Sequence, residues 1–204
     1  GKSYLTFVLY HYLVNILGIR VNMTGLDLKA DVIAKCSAAA KRYGYDSLKF
    51  ERGDIAEYDA NAPADMVVTL HACDTATDYA LHNAICRGAR MILSVPCCQH
   101  ELNGQIASDK LKLITRYGII KERFAALMTD AIRANLFESR GYKTQVLEFV
   151  DLSHTPKNLL IRAIKKRPAL DNAGRIALDE AKALMNEFSL EPTLYSLLYP
   201  HSAD

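Results

Sequence analysis

An excess of basic residues is absent. Lys and Arg number 25 against 23 Asp and Glu, a net charge of +2. This excludes a chain held to nucleic acid by charge alone and leaves only a local basic patch open. Long apolar runs are also missing. None approaches the ~20 residues that span a bilayer, so no membrane partner is expected. Repeats, low-complexity tracts, a starting Met and a signal-peptide pattern are not found. Cysteines are few: Cys36, Cys73, Cys86, Cys97 and Cys98. Their count is odd, two are adjacent and no C-x-x-C occurs. That is a poor disulfide framework and fits a reducing cytoplasm. It is equally poor as a zinc pattern, since adjacent cysteines rarely ligate one ion. No metal is expected.

Apolar residues make up half of the chain, enough for a sizeable core. They fall into alternating blocks. Tyr4 to Leu17 has helical spacing, with Leu5, Leu9, Tyr12, Leu13 and Ile16 on one stripe. Val21 to Leu28 reads as a strand, Ala30 to Tyr43 as a helix closed by Gly44, and Leu48 to Phe50 as a short strand. Met66 to Leu70 and Met91 to Val95 are continuous apolar runs, as in strands buried on both faces. Asp74 to Arg87 between them is helical. One helix or two short ones lie within Glu101 to Tyr117. A longer helix covers Ile120 to Ser139, with Phe124, Leu127, Met128, Ala131 and Ile132 at helical spacing. On it, Arg123, Asp130 and Arg133 read as a solvated face. Thr144 to Val150 and Leu159 to Ile164 are strands with no helix between them, so they pair antiparallel. Alternation of this kind predicts an α/β doubly wound, mostly parallel sheet with a C-terminal antiparallel strand. Ala173 to Phe188 is an amphipathic helix. It marks residues 168–204 as a helical appendage that packs on the domain over 1–167 or on a partner.

In an open parallel sheet, ligands bind beyond the carboxyl ends of the strands. Gly1-Lys2-Ser3 precedes the first helix, where Gly lets backbone approach a ligand and the helix start offers N–H groups. Asp27, followed by Leu28, ends a strand; its carboxylate can accept both hydroxyls of a ribose. Gly53-Asp54-Ile55 ends the next; Asp54 can accept from an adenine amino group while Ile55 packs on the ring. Ordinary capping and turn roles stand beside these readings.

Two further strand ends are not explained by packing. Leu70-His71-Ala72-Cys73-Asp74 follows one strand, and Pro96-Cys97-Cys98-Gln99-His100-Glu101 follows the next. His71, Asp74, His100 and Glu101 are the candidates for orienting or deprotonating an acceptor. His71 also lies within reach of a cofactor, while Cys97, Cys98 and Gln99 face a substrate. His154, Lys157 and Asn158, between the last two strands, join them if the penultimate strand runs parallel to the others. Otherwise they form a capped hairpin loop. Cys36 and Cys86 read as small buried apolar residues.

The pattern resembles a known family. Gly1-Lys2-Ser3-Tyr4-Leu5-Thr6 looks like the tail of the methyltransferase motif Asp-x-Gly-x-Gly-Lys-x-x-Leu. Asp27, Gly53-Asp54, the Leu-His-Ala-Cys run and the Pro-Cys-Cys-x-His run follow in order. The combination, over about residues 1–166, is similar to the class I methyltransferase domain of methyltransferase-like protein 25 relatives and of the glutathione S-transferase C-terminal-domain-containing protein. More distantly, His71, Cys73, Thr77, Asp78 and the Cys-Cys-x-His segment resemble acceptor-stem tRNA 2′-O-methyltransferases. Leu70 departs from the Lys of that family, and Asp74 from a Gly preferred in both. The resemblance implies S-adenosylmethionine as cofactor and methyl transfer to an O or N atom. RNA is the first substrate expectation, ahead of protein and small molecules. Lys157 and Lys165-Lys166-Arg167 offer a modest basic patch for it. A non-catalytic binding module on the same fold is the alternative. Because the motif begins at its last Gly, an upstream segment of the same polypeptide is expected to supply the central first strand.

Overall fold

The computed structural model describes residues 3–54, 63–70, 72–151, 155 and 158–200. The chain forms two compact units, Gly1–Tyr58 and Asp59–Asp204.

The first unit is a β-α-β element behind a helix. α1 (Tyr4–His11) continues into a π-helical turn at Tyr12–Ile16, so the stretch expected to be one helix changes its winding halfway. β1 (Met23–Asp27), α2 (Ala30–Arg42) and β2 (Leu48–Arg52) follow. The strands pair in parallel, with Met23 opposite Leu48 and Asp27 opposite Arg52. The small core holds Tyr10, Ala40 and Leu48, packed by Phe7, Val14, Met23, Tyr45 and Phe50. Its seam on the leading helix therefore runs through Phe7, Tyr10 and Val14. Of the expected stripe, Leu5, Tyr12 and Ile16 are exposed. The aromatic rings account for the shift. Tyr10 packs on Tyr45 with ring centroids 4.6 Å apart, and its hydroxyl bonds Ser47 at 2.7 Å. Phe7 lies 5.5 Å from Phe50. Rings bury more area than Leu or Ile and so set the rotation of the helix. Gly25 serves the same cluster: a Cβ there would lie 2.7 Å from the Phe50 ring.

The second unit is a four-stranded sheet in the order β3-β4-β6-β5. β3 (Met66–Leu70) and β4 (Met91–Val95) are parallel and joined by α3 (Thr75–Cys86). α4 (His100–Gln105), a 3₁₀ turn at Asp109–Leu111, α5 (Lys112–Thr115) and α6 (Gly118–Ser139) lead to β5 (Tyr142–Glu148). β6 (Leu159–Lys165) then runs antiparallel between β4 and β5. β5 is thus parallel to β3 and β4, and the α/β, mostly parallel architecture with an antiparallel C-terminal strand holds. It follows that the chain leaves β3, β4 and β5 at one and the same edge.

α7 (Asn172–Phe188) and α8 (Thr193–Leu198) close the unit. They pack on the rest of this unit. Leu178, Met185, Leu190, Leu194 and Leu198 belong to one apolar core with Leu81, Ile92, Leu136, Phe137 and Ile161. The compact units divide near residue 58, and no boundary falls at 167. α6 also differs from expectation. Leu127 and Ala131 face outward, whereas Asp130 and Arg133 are buried with Met128, Ile132 and Leu136. Cys86, expected in the interior, is exposed; Cys36 is buried as expected.

Candidate active site

Asp27 is the last residue of β1, at the carboxyl edge where ligands bind in parallel sheets. Its Oδ1 accepts the Lys29 N–H at 2.9 Å, and its carbonyl accepts the Gly53 N–H at 3.3 Å. The Lys29 N–H bond, working against partial burial, holds the carboxyl below its usual pKa. The group is therefore ionised and oriented near neutrality. Asp54 is exposed, directly after Gly53, on the neighbouring strand end. Two carboxylates on adjacent strand ends suit ligand groups that donate hydrogen bonds. Leu28, beside them, is exposed and apolar. A cleft lined by Val14, Ile19, Asn22 and Ser47 opens at the other end of β1 and takes no part.

In the second unit, Leu70 and Val95 are paired last residues of β3 and β4. The segments that follow run side by side. Asp74 takes φ 53° and ψ −125°, a conformation that favours Gly. A Gly at this position would adopt it without strain. Asp74 Oδ1 accepts the Glu101 N–H at 3.0 Å, tying the β3–α3 turn to α4. The Thr77 hydroxyl donates to the Ala72 carbonyl and tightens the same turn.

Beneath these segments lies a buried polar network that sequence reasoning missed. Arg133 donates through Nε and Nη2 to Asp78 at 2.8 and 2.9 Å. Its Nη1 reaches Asp130 at 3.2 Å, and Nη2 also meets the Asp74 carbonyl at 3.3 Å. Burial pulls the guanidinium pKa down, but the two carboxylates outweigh it and hold it above its ordinary value. Asp130 goes the other way: burial pushes its pKa up to about 6 despite Arg133. Gln99, expected to face a substrate, is buried and donates to Asp130 at 3.3 Å. It anchors the Cys97-Cys98 segment to α6. The available signal was the apolar setting of Asp130 and Arg133 among Met128, Ile132 and Leu136.

The thiols of Cys73, Cys97 and Cys98 come together above this network. Sγ of Cys73 and Cys97 are 3.6 Å apart, and those of Cys97 and Cys98 3.8 Å. Burial, and then its two sulfur neighbours, push the Cys97 thiol up to about 12, so it is protonated near neutrality.

The other expected site residues divide. His100 is exposed at the start of α4. Glu101 is not placed as a general base: its carboxylate accepts the Thr193 N–H and hydroxyl and caps α8. Asn158 is buried, and its Nδ2 donates to the Val150 carbonyl at 3.0 Å. It holds the β5–β6 connection, which starts at the same sheet edge as the ends of β3 and β4 because β5 runs parallel to them. The basic patch is also partly committed. Arg167 pairs with Glu138 at 2.5 Å and Asp171 at 3.0 Å, and Lys165 donates to the Arg140 carbonyl. Gly1, Lys2, Ile55, His71, His154 and Lys157 lie outside the described residues. Among the described residues, no helix is long and apolar enough to cross a membrane.

Strand ends carrying carboxylates, on a doubly wound α/β scaffold, define a ligand-binding class of fold. Within it, the chain belongs to a family described as a methyltransferase domain, whose model matches residues 1–105. The match takes in Asp27, Asp54 and both cysteine-bearing strand ends. No curated protein matches the chain. Among solved structures, an rRNA methylase from Streptococcus thermophilus is similar at TM-score 0.51 and 14% identity, over 82% of each chain. YcgJ from Bacillus subtilis is similar at TM-score 0.47 and 10% identity, over 82% of this chain and 89% of that one. Magnesium protoporphyrin IX methyltransferase from Synechocystis PCC 6803, solved with bound SAH, gives TM-score 0.41 and 12% identity, over 70% of this chain and 64% of that one.

Proposed function

We propose that the protein transfers the methyl group of S-adenosylmethionine to an oxygen or nitrogen atom, with RNA as the acceptor. The observation that carries the cofactor reading is Asp27, ionised and fixed by the Lys29 N–H at the carboxyl end of β1, with Asp54 on the next strand end. These acceptors fit a ribose diol and an adenine amino group. Leu28 and Ile55 would flank the purine, and Gly1-Lys2 would approach the amino-acid end. The cofactor supplies an electrophilic methyl group. The protein's contribution is placement of donor and acceptor in line, worth much of the barrier.

The groups proposed to orient or deprotonate the acceptor are His71 and His100, the latter exposed at the start of α4. Asp74 is a positioning residue, since its carboxylate is engaged by the Glu101 N–H. RNA is supported by the likeness of the His71-to-Asp78 and Cys97-to-His100 runs to the acceptor-stem tRNA 2′-O-methyltransferases. The same runs support membership of the methyltransferase-like protein 25 type.

The test is transfer of radiolabelled methyl from S-adenosylmethionine to a cell extract. Label that ribonuclease releases and protease does not is the expected result. Label released by protease alone would overturn RNA as acceptor and leave the cofactor reading standing.

A further inference from the structure

Three of the five cysteines are placed by the topology at one sheet edge. Leu70 and Val95 are paired neighbours, Cys73 follows the first by three residues, and Cys97 and Cys98 follow the second. None of the three joins either apolar core. Cys73 is exposed and the other two are half-buried, which is not the setting of cysteines that only fill space. All three Sγ atoms lie within 4.8 Å of one another.

Adjacency in sequence does not separate these thiols in space. Pro96 ends β4, so strand alternation does not drive Cys97 and Cys98 to opposite faces. Their sulfurs lie 3.8 Å apart, and Cys73 completes the group at 3.6 Å from Cys97. Zn–S bonds of about 2.3 Å at tetrahedral angles place neighbouring sulfurs about 3.8 Å apart. Both contacts match that edge, and the third pair lies within 4.8 Å. The segments are also held from outside the cluster. Gln99 is anchored to Asp130, and Asp74 to the Glu101 N–H. Preorganisation of this kind lowers the cost of assembling a site.

We propose that Cys73, Cys97 and Cys98 form a three-thiolate site for one soft d10 cation of the zinc class. Each thiol loses its proton to solvent as the ion binds, and a fourth position is left for water or a further donor. The ion would clamp the two strand-end segments together at the carboxyl edge of β3 and β4. This does not depend on the cofactor reading, and its test needs no cofactor.

The purified chain is reduced, stripped with chelator, and titrated with Co(II) and then Zn(II). The expected result is one ion per chain, a thiolate-to-cobalt charge-transfer band, loss of that band on adding Zn(II), and proton release on binding. Cys97→Ser should weaken Zn(II) binding by at least about tenfold, with circular dichroism confirming its fold. Cys36→Ser and Cys86→Ser should bind as the parent does. Absence of the cobalt band in the reduced parent would overturn the site. So would unchanged binding in a Cys73→Ser, Cys97→Ser, Cys98→Ser triple variant, or a Cys73–Cys97 disulfide as the stable state in the same reducing buffer.

Discussion

Arg133 and Asp78 meet in a two-pronged ion pair, Nε and Nη2 against the two carboxylate oxygens at 2.8 and 2.9 Å, with each side chain about 98% shielded from solvent. Removing one member strands the other as a buried charge, which costs about 3–5 kcal/mol. Arg133→Met should lower unfolding stability by that amount in denaturant melts. It should also loosen the β3–α3 turn, since Nη2 holds the Asp74 carbonyl. Amide hydrogen exchange at residues 73–78 would report this directly.

Asp130 gives the network a pH dependence. Its pKa in the folded chain is about 6, against 3.8 for the ordinary group. The native state therefore binds this proton more tightly than the unfolded state. Below about pH 4 both states hold it; as pH rises toward 6 the native state loses its advantage, and stability falls. Asp130→Asn removes that loss. Between pH 3 and pH 7 the stability difference should move in favour of the variant by about 3 kcal/mol, read from chemical melts at each pH.

Asp74 carries strain and a bond at once. Asp74→Gly relieves the φ of 53° and gives up the Glu101 N–H contact; Asp74→Ala gives up the contact and keeps the strain. The Gly variant should be more stable than the Ala variant by about 1 kcal/mol in thermal or denaturant melts.

Gly141 has no such latitude. Its φ is 84°, and a Cβ would lie 2.2 Å from the Arg167 carbonyl and 2.7 Å from that of Pro168. The obstacle is backbone, so Gly141→Ala must displace the α6–β5 turn or the chain after β6. A loss of at least about 2 kcal/mol in a denaturant melt is expected.

The sheet was legible because β3 and β4 are apolar runs broken only by Thr69 and Ser94, and because Asp27 and Gly53-Asp54 stand at the ends of β1 and β2 where an open sheet exposes its ligand edge. The antiparallel β6 followed from the missing helix before Leu159. The Arg133 network was not legible. Spacing three apart marks a helix face without saying whether water or protein covers it, and only packing against Asp78 and Gln99 decides. Glu101 and Asn158 have types that suit chemistry, and only packing shows that Thr193 and the Val150 carbonyl engage them. The cysteine cluster was hidden by adjacency in sequence, which says nothing of where two thiols point once the strand has ended. The change of pattern at Pro168 marked off the last helices, and Leu194 and Leu198 show how they pack into the main core.

Asp27 is the carboxylate proposed to grip the cofactor. Isothermal calorimetry of the chain with S-adenosylhomocysteine tests it most directly. Binding with one site per chain, weakened at least about tenfold in Asp27→Ala by loss of charge-assisted hydrogen bonds, is the predicted result. No heat with the parent chain, or equal affinity in parent and variant, would contradict it.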